Sequence, residues 1–155
     1  MCIKVRTLQT PIGKIELRAD ENGVCALLFH TGGEKNDASP LLDRAQRELE
    51  EYFAGRRRAF SVPLSIVGTP FQKKVWRALC GIPYGETRTY GEIAAMTGNE
   101  KAARAVGMAN NKNPLPMFIP CHRVIGAGGA LTGYAGGLEI KKILLGIEER
   151  NREDV

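Results

Sequence analysis

The sequence predicts an α+β protein of two small domains, with an antiparallel sheet and a helix in residues 1–67 and mostly helices in residues 68–155. Two observations indicate this fold class. Near the start of the chain, apolar and polar residues alternate, which is typical of strands with one buried face. Beyond Gly68 the apolar residues recur instead at helical spacing. The chain is long enough to bury a hydrophobic core without disulfide bonds.

The first domain is predicted to begin with a hairpin. In IGKIELRA, the side chains of Ile15, Leu17 and Ala19 fall on one face of a strand. The Asn-Gly pair within residues 21–23 predicts a tight turn, and VCALLF at residues 24–29 predicts the partner strand.

A helix is predicted next. Ser39 is placed to cap it, Pro40 occupies its first position, and an apolar stripe continues until Gly55. Residues 55–68 predict a basic turn, a short strand and a linker, so the domain boundary is expected near Gly68. Nothing in this first domain indicates chemistry.

The second domain is predicted to open with a helix that starts at a capping box formed by Thr69 and Gln72. Pro70 stands at the first helical position. The aromatic side chains of Phe71 and Trp76 fall on its apolar face, and we expect both in the core.

Two helices joined by a short turn are predicted for residues 89–110. Thr89 and Glu92 form a second capping box, Ile93, Ala94 and Met96 supply an apolar face, and Gly98 ends the first helix. KAARAVGMAN then predicts a second helix after about two residues, which is the helix-turn-helix arrangement.

The second of these helices carries small residues around one long cationic side chain, Arg104. The small residues that flank Arg104 are Ala102, Ala103, Ala105, Gly107 and Ala109. They favour close approach to a neighbouring surface, but tight helix packing with a solvated arginine explains the same pattern equally well.

Charge and cysteine content narrow the function classes. The net charge is +5, and residues 69–145 hold 10 Lys and Arg against 4 Asp and Glu. This excess fits nucleic acid or an acidic small molecule as partner, but a solvated basic surface explains it as well. The four cysteines are scattered without a CxxC spacing, so we expect no disulfide framework and a reducing cytoplasmic compartment. No apolar run approaches the length of a membrane span.

A cysteine and a histidine stand side by side at Cys121 and His122, after the proline-rich stretch NPLPMFIP, which predicts a stiff, extended segment. Two interpretations of Cys121 compete: a buried, inert residue, as free cysteine usually is, and a nucleophile. A thiol with a pKa of about 8.5 needs a base, and His122 is the candidate, acting through a water because neighbouring side chains often point apart.

A carboxylate is expected to orient the imidazole, as in serine-histidine-aspartate sites. The last amphipathic helix, LEIKKILLGIEERN, offers Glu139, Glu148 and Glu149. Glu148 is preferred because it continues the face marked by Ile140, Leu144 and Ile147. Between the pair and this helix, a glycine-rich stretch with Tyr134 suits either a planar ligand or a flexible connection.

Five ordered segments together resemble one known family, the O6-alkylguanine-DNA alkyltransferases or methylated-DNA–protein-cysteine methyltransferases, most closely the stand-alone bacterial type. The segments are PFQKKVWRAL, YGEIAAMTGN, KAARAVGMANNKNPLP, PCHRVIG and GYAGGLEIKKILL, and the match as a whole covers about residues 69–148. The opening TPIGKIELRADENGV also looks like the amino-terminal domain of that family. The resemblance implies a ribonuclease-H-like first domain and a winged helix-turn-helix second domain.

The resemblance also implies the activity: Cys121 accepts the alkyl group of O6-alkylguanine once and irreversibly, with O4-alkylthymine left open as a second substrate. In the family pattern His122 acts through a water as the base, Glu148 holds His122, Asn113 braces the turn, and Tyr90 contacts a phosphate and the leaving guanine. The implied DNA contacts are Arg104, which fills the gap of the flipped nucleotide, and Ala102, Ala103, Ala105, Thr89 and Arg123. The implied pocket consists of Pro116, Met117, Val124, Tyr134, Ala135 and Gly136.

The implied partner is double-stranded DNA, approached from the minor groove by a monomer, with cooperative binding left open. No metal or other cofactor is expected. Cys2, Cys25 and His30 do not match a family zinc site and are expected to be packing or surface residues. Two rivals are a non-catalytic DNA-binding module, against which Cys121 argues, and a Cys-His thiol hydrolase, which would need no alanine-rich helix with a lone arginine.

Overall fold

The computed structural model describes residues 3–29 and 31–152. The chain divides into two compact units, Met1–Val67 and Gly68–Val155. Within the described residues, no helix has the length and apolar character needed to cross a membrane. Of the residues weighed above for zinc, Cys2 and His30 lie outside the described part of the chain.

The first unit contains a three-stranded antiparallel sheet with its second strand in the centre. Its strands are β1 (Lys4–Thr10), β2 (Gly13–Ala19) and β3 (Val24–Phe29). The predicted strands β2 and β3 are confirmed, and Ile15 and Leu17 are fully buried on the inner face. The first strand was not predicted from the sequence.

The turn between β2 and β3 is present, but a carboxylate builds it. Asp20 accepts hydrogen bonds from the backbone N–H groups of Asn22 and Gly23, at 2.8 and 3.1 Å. Gly23 is needed for close approach, since a Cβ there would lie 2.6 Å from the carbonyl oxygen of Pro63. The Asn-Gly pair therefore marks the turn for a reason other than a two-residue hairpin.

Helix α1 (Pro40–Phe53) packs on all three strands, and Leu42, Leu49 and Tyr52 are fully buried on its inner face. The Ser39 hydroxyl caps it by accepting the Leu42 N–H at 3.2 Å, as predicted.

The short strand predicted within residues 55–68 is wrong. This stretch forms one isolated bridge, between Leu64 and Val24, where the Val24 N–H donates to the Pro63 carbonyl at 2.9 Å. Pro63 has no N–H to donate, which limits the ladder that this segment can form.

The second unit is mostly helical. Its elements are α2 (Pro70–Cys80), β4 (Arg88–Thr89), α3 (Tyr90–Met96), α4 (Ala103–Asn111), β5 (Val124–Ile125) and α5 (Leu138–Asn151), with short 3-10 turns at Glu100–Ala102, Cys121–Arg123 and Ala127–Gly129. The parallel pair of β4 and β5 places the start of α3 beside the segment that follows Cys121. Together with the sheet of the first unit, these helices confirm the α+β fold class.

Both predicted capping boxes are present, at Thr69 with Gln72 and at Thr89 with Glu92. The core position of Trp76 is confirmed, since its indole N–H donates to the Ala109 carbonyl at 2.8 Å and so ties α2 to α4.

Two side chains from the predicted apolar helix faces are exposed. Phe71 is 37% exposed and Met96 is 53% exposed. Each stands at one end of its helix, and a spacing of eight residues turns Phe71 by about 80° away from Leu79. The prediction that Phe71 belongs to the core is therefore wrong, and Met96, predicted on the apolar face of its helix, is exposed there.

Candidate active site

Cys121 is the first residue of a 3-10 turn that lies within a buried segment. All residues from Leu115 to Val124 are buried, and Cys121 is 3% exposed. The prolines of the preceding segment predicted an extended chain, but the segment is not extended. It folds back on itself through a 2.9 Å bond from the Ile119 N–H to the Leu115 carbonyl, with Met117 in the left-handed region at a φ of 74°. Because the segment makes a tight turn and does not run as an extended strand, Cys121 lies within the core.

Asn113 holds this turn in place. Its amide nitrogen donates to the Ile119 carbonyl at 2.8 Å and its amide oxygen accepts the Leu115 N–H at 2.9 Å. Asn113 also lies close enough to the Cys121 thiol to lower its pKa. One amide side chain thus fixes the backbone of the turn and acts on the sulfur.

The thiol of Cys121 is protonated at neutral pH. Burial raises its pKa to about 11, although the hydrogen bonds of Asn113 and Tyr134 and the charge of Lys141 act in the opposite direction. Burial also raises the pKa of the Tyr134 hydroxyl well above its ordinary value. A base is therefore required before the sulfur can act as a nucleophile.

His122 is buried and its ring nitrogen Nε2 lies 2.5 Å from Glu148 Oε2. Burial lowers the pKa of His122, which outweighs the opposing hydrogen bond and charge of Glu148. Burial alone would raise the pKa of Glu148, but His122 and Arg123 hold it well below its ordinary value. The pair at neutral pH is thus a neutral imidazole that donates Nε2–H to a carboxylate, which leaves the lone pair on Nδ1.

Arg123 does not contribute to a DNA surface. Its side chain is 8% exposed, and its guanidinium donates to both oxygens of Glu148, from Nε at 2.8 Å and from Nη2 at 3.1 Å. Its Nη1 donates to the Ile82 carbonyl at 2.8 Å. The prediction of a DNA contact for Arg123 is wrong, because the carboxylate satisfies the cation inside the protein.

Lys141 is a site residue that sequence reasoning missed. It is fully buried, and its ammonium donates to the carbonyls of Val124 and Thr132 at 2.7 Å each. It therefore joins β5 to the glycine-rich segment and places a positive charge near Cys121. Lys141 lies seven residues before Glu148 on α5, so the same helical periodicity that indicated Glu148 also indicated this lysine.

An open groove of about 520 Å³ runs beside the helix-turn-helix. The residues that line it are Tyr90, Ala103, Arg104, Gly107, Met108, Asn111, Thr132 and Gly133. Arg104 is exposed, and the Tyr90 hydroxyl donates to the Thr132 carbonyl and accepts from the Thr132 hydroxyl, both at 3.2 Å. Tyr90 and Arg104 therefore share one groove, whereas Cys121, Asn113 and the hydroxyl of the half-buried Tyr134 form a buried cluster.

The remaining site residues predicted from the sequence take varied positions. Pro116, Met117, Val124 and Gly136 are buried, and Ala135 is exposed. Val124, expected in the pocket, has a carbonyl that already accepts from Lys141 on one of its lone pairs. Among the expected DNA contacts, Ala105 is exposed, Ala102 and Ala103 are half-buried, and the Thr89 hydroxyl caps α3 by accepting the Glu92 N–H.

Comparisons with known proteins show the family of this chain. Residues 70–150 match the 6-O-methylguanine DNA methyltransferase DNA binding domain, and residues 3–66 match the ribonuclease-like domain of the same name. The chain belongs to the 6-O-methylguanine DNA methyltransferase family. The family predicted from five sequence segments is thereby confirmed.

Individual relatives cover nearly the whole chain. The methylated-DNA–protein-cysteine methyltransferase of Methanosarcina acetivorans is 53% identical over 147 residues, 90% of this chain and 94% of the relative. The constitutive enzyme of that name from Bacillus subtilis is 49% identical over 153 residues, 92% and 93% of the two chains. The crystal structure of Mycobacterium tuberculosis OGT in complex with DNA superposes with a TM-score of 0.88 at 44% identity, covering 96% and 94%.

Proposed function

We propose that this protein repairs DNA directly by transferring the alkyl group of O6-alkylguanine from a duplex to Cys121. The observation that carries the proposal is the buried thiol beside a His122–Glu148 pair in a chain of this family. The family is a methyltransferase family that acts on DNA, and the relatives carry the name of a protein-cysteine methyltransferase.

His122 supplies the base that the thiol needs. Because Glu148 occupies Nε2–H, the acceptor is Nδ1, and a bridging water carries the proton from the sulfur to it. Glu148 remains ionised and stabilises the imidazolium that forms. Lys141 adds positive charge near the developing thiolate.

The transfer step then balances without a cofactor. The Cys121 sulfur attacks the alkyl carbon, the carbon–sulfur bond forms, and the bond from carbon to O6 breaks with its electron pair moving into the purine. Guanine regains one proton, which balances the proton lost by the thiol. The product is a thioether that water does not readily cleave, so each protein molecule acts once.

The buried position of Cys121 requires the damaged base to leave the duplex. Extrusion costs a few kcal/mol, and a side chain that fills the vacated stack offsets part of it. Arg104 is long and exposed and lines the groove beside small residues, which suits insertion from the minor groove. Tyr90 lines the same groove, and we assign it to the phosphate of the flipped nucleotide. The positive charge of the protein makes its binding to DNA, as a monomer, dependent on salt. We place this activity in the cytoplasm, where reducing conditions keep Cys121 a free thiol.

Intact-protein mass spectrometry tests this function. After incubation with a duplex that contains one O6-methylguanine, we expect a single mass gain of about 14 Da that does not increase with excess substrate. Cys121→Ser keeps a small polar side chain and is expected to bind the duplex without any gain. A gain that persists in Cys121→Ser, or none in the wild type despite binding, would overturn the proposal.

The role of Arg104 has its own comparison. Arg104→Ala is expected to slow transfer about tenfold or more from a duplex, because nothing then replaces the lost stacking. The same variant is expected to lose much less on a single-stranded oligonucleotide, which has no stack to fill. Lys112→Ala removes an exposed charge at the end of α4 and should affect both substrates alike. Equal losses for Arg104→Ala on both substrates would contradict insertion.

A further inference from the structure

The Glu148 carboxylate is buried and all of its acceptor positions are used. Oε1 accepts the Gly85 N–H at 3.1 Å and Arg123 Nε at 2.8 Å. Oε2 accepts Arg123 Nη2 at 3.1 Å and His122 Nε2 at 2.5 Å. Two of the four donors thus come from one guanidinium, in the bidentate geometry that arginine and carboxylate form best.

The guanidinium of Arg123 has further contacts besides Glu148. Its Nη1 donates to the Ile82 carbonyl at 2.8 Å, and its guanidinium carbon lies 5.6 Å from the centre of the Tyr84 ring. The residue belongs to the same 3-10 turn as Cys121 and His122. A cation at this position is therefore built into the turn that carries the nucleophile and its base.

The positive charge of Arg123 sets the net charge of the buried group that it forms with Glu148 and His122. Without Arg123, a neutral His122 and an ionised Glu148 would form a buried pair of net charge −1, which favours uptake of a proton. That proton would reside on the imidazole or on the carboxylate, and in either case His122 would no longer be a neutral base held by an ionised acceptor. With Arg123 present, the three groups are neutral as a set.

We propose that Arg123 is a positioning residue for alkyl transfer: by occupying both oxygens of Glu148, it keeps His122 neutral and oriented as the proton acceptor for Cys121. This inference rests on the proposed function. Lys141, from α5, is the other charge that acts on His122, and it also opposes protonation. The Cys121 thiol adjoins His122 in the same turn, and the Tyr134 hydroxyl lies close enough to Glu148 for the charge of the carboxylate to raise its pKa. Cys80, on α2, lies close enough to Arg123 to sense its charge. None of these four groups is changed by the substitutions below.

The test is a titration of His122 by nuclear magnetic resonance, paired with single-turnover transfer rates across the same pH range. The sequence contains two histidines, so a His30→Gln variant assigns the signals. In the wild type we expect His122 to titrate below its ordinary value of 6.5. In Arg123→Met, both its midpoint and the acid limb of the rate profile should rise by about one to three pH units.

Arg123→Lys is the matched variant, since it keeps the charge and loses the planar fork. We expect its midpoint to lie between those of the wild type and Arg123→Met, with transfer partly restored near neutral pH. A merely structural role would lower the rate by the same factor at every pH and leave the midpoint unmoved. That result would overturn the inference.

Two further measurements keep the inference testable if Arg123→Met does not fold. Arg123→Met combined with Glu148→Gln removes the buried charge together with its partner, so His122 is expected to remain neutral at neutral pH. A wild-type His122 that titrates at or above 6.5 would also contradict the inference. Absence of methyl transfer by the wild type would refute the proposed function, whereas transfer with an unmoved pH profile would refute only the role of Arg123.

Discussion

Within the described residues, each unit of the molecule contains one buried glutamate that accepts four hydrogen bonds, and the two carboxylates differ in the kind of donor that surrounds them. Glu48, on α1, accepts from Ser61 N and Oγ at 2.8 and 2.9 Å, from Val62 N at 3.1 Å, and from Arg44 at 3.1 Å. Glu148, on α5, accepts from Gly85 N, twice from Arg123, and from His122. Both side chains are 1% exposed.

The difference is that one donor to Glu148 can change its protonation state near neutral pH. The donors to Glu48 are backbone amides, a hydroxyl and an arginine, which do not titrate there. His122 does, and it adjoins a cysteine. Burial and complete hydrogen bonding of a carboxylate therefore do not identify a reactive site, whereas the presence of a titratable partner beside a nucleophile does.

Replacing His122 with a residue that does not titrate should make the surroundings of Glu148 resemble those of Glu48. We expect His122→Asn to lower the single-turnover rate of methyl transfer by about 10²- to 10⁴-fold, because asparagine can donate to Glu148 but cannot accept a proton. Quenched-flow transfer from a methylated duplex measures this rate. Arg44→Gln, which alters a donor to Glu48, is the control and should leave the rate unchanged. A His122→Asn protein that transfers at the wild-type rate would remove the base from the mechanism.

Glu48 should matter for stability alone. Glu48→Gln is expected to lower the free energy of unfolding by about 1–3 kcal/mol, because an amide cannot satisfy all four donors. Urea unfolding monitored by circular dichroism measures this loss. Glu100→Gln, at an exposed position, is the control and should leave the unfolding midpoint in place. A destabilisation no larger than that of the control would contradict the structural role of Glu48.

The smallest effect concerns acid pH. Burial acts to raise the pKa of Glu48, but its hydrogen bonds, first those of Ser61 and Val62, hold it below the ordinary value of 4.5. Its stabilising contribution is thus present above pH 4.5 and is lost as pH falls through the folded-state pKa. The difference in unfolding free energy between wild type and Glu48→Gln should shrink as urea titrations are repeated below pH 4.5. A constant difference down to the lowest pH at which the protein folds would contradict the assigned shift.

Much of this architecture could be predicted from sequence patterns that lie within one helix or strand. The capping boxes at Thr69 and Thr89 place two helix starts, because they depend on residues three positions apart. The periodicity of α5 points to Glu148, because a helix face is set by spacing alone. Both features lie within one element, where sequence patterns are informative.

Features that depend on distant partners were missed or misassigned. Arg123 resembles a DNA contact until Glu148, 25 residues away, is seen to neutralise it. Lys141 resembles a solvated charge until three carbonyls surround it. Phe71 fits an apolar stripe, yet nothing local shows that the end of α2 is exposed. Charge and hydrophobicity are residue properties, whereas the partner is a property of the fold.

The most direct measurement compares the two glutamates in one assay. Single-turnover methyl transfer from the same duplex should fall by about 10²-fold or more in Glu148→Gln, because His122 loses its ionised acceptor. Glu48→Gln should transfer at the wild-type rate at a temperature where both variants remain folded. Equal rates for the two variants would contradict the claim that the partner of a buried carboxylate, rather than its burial, makes the site.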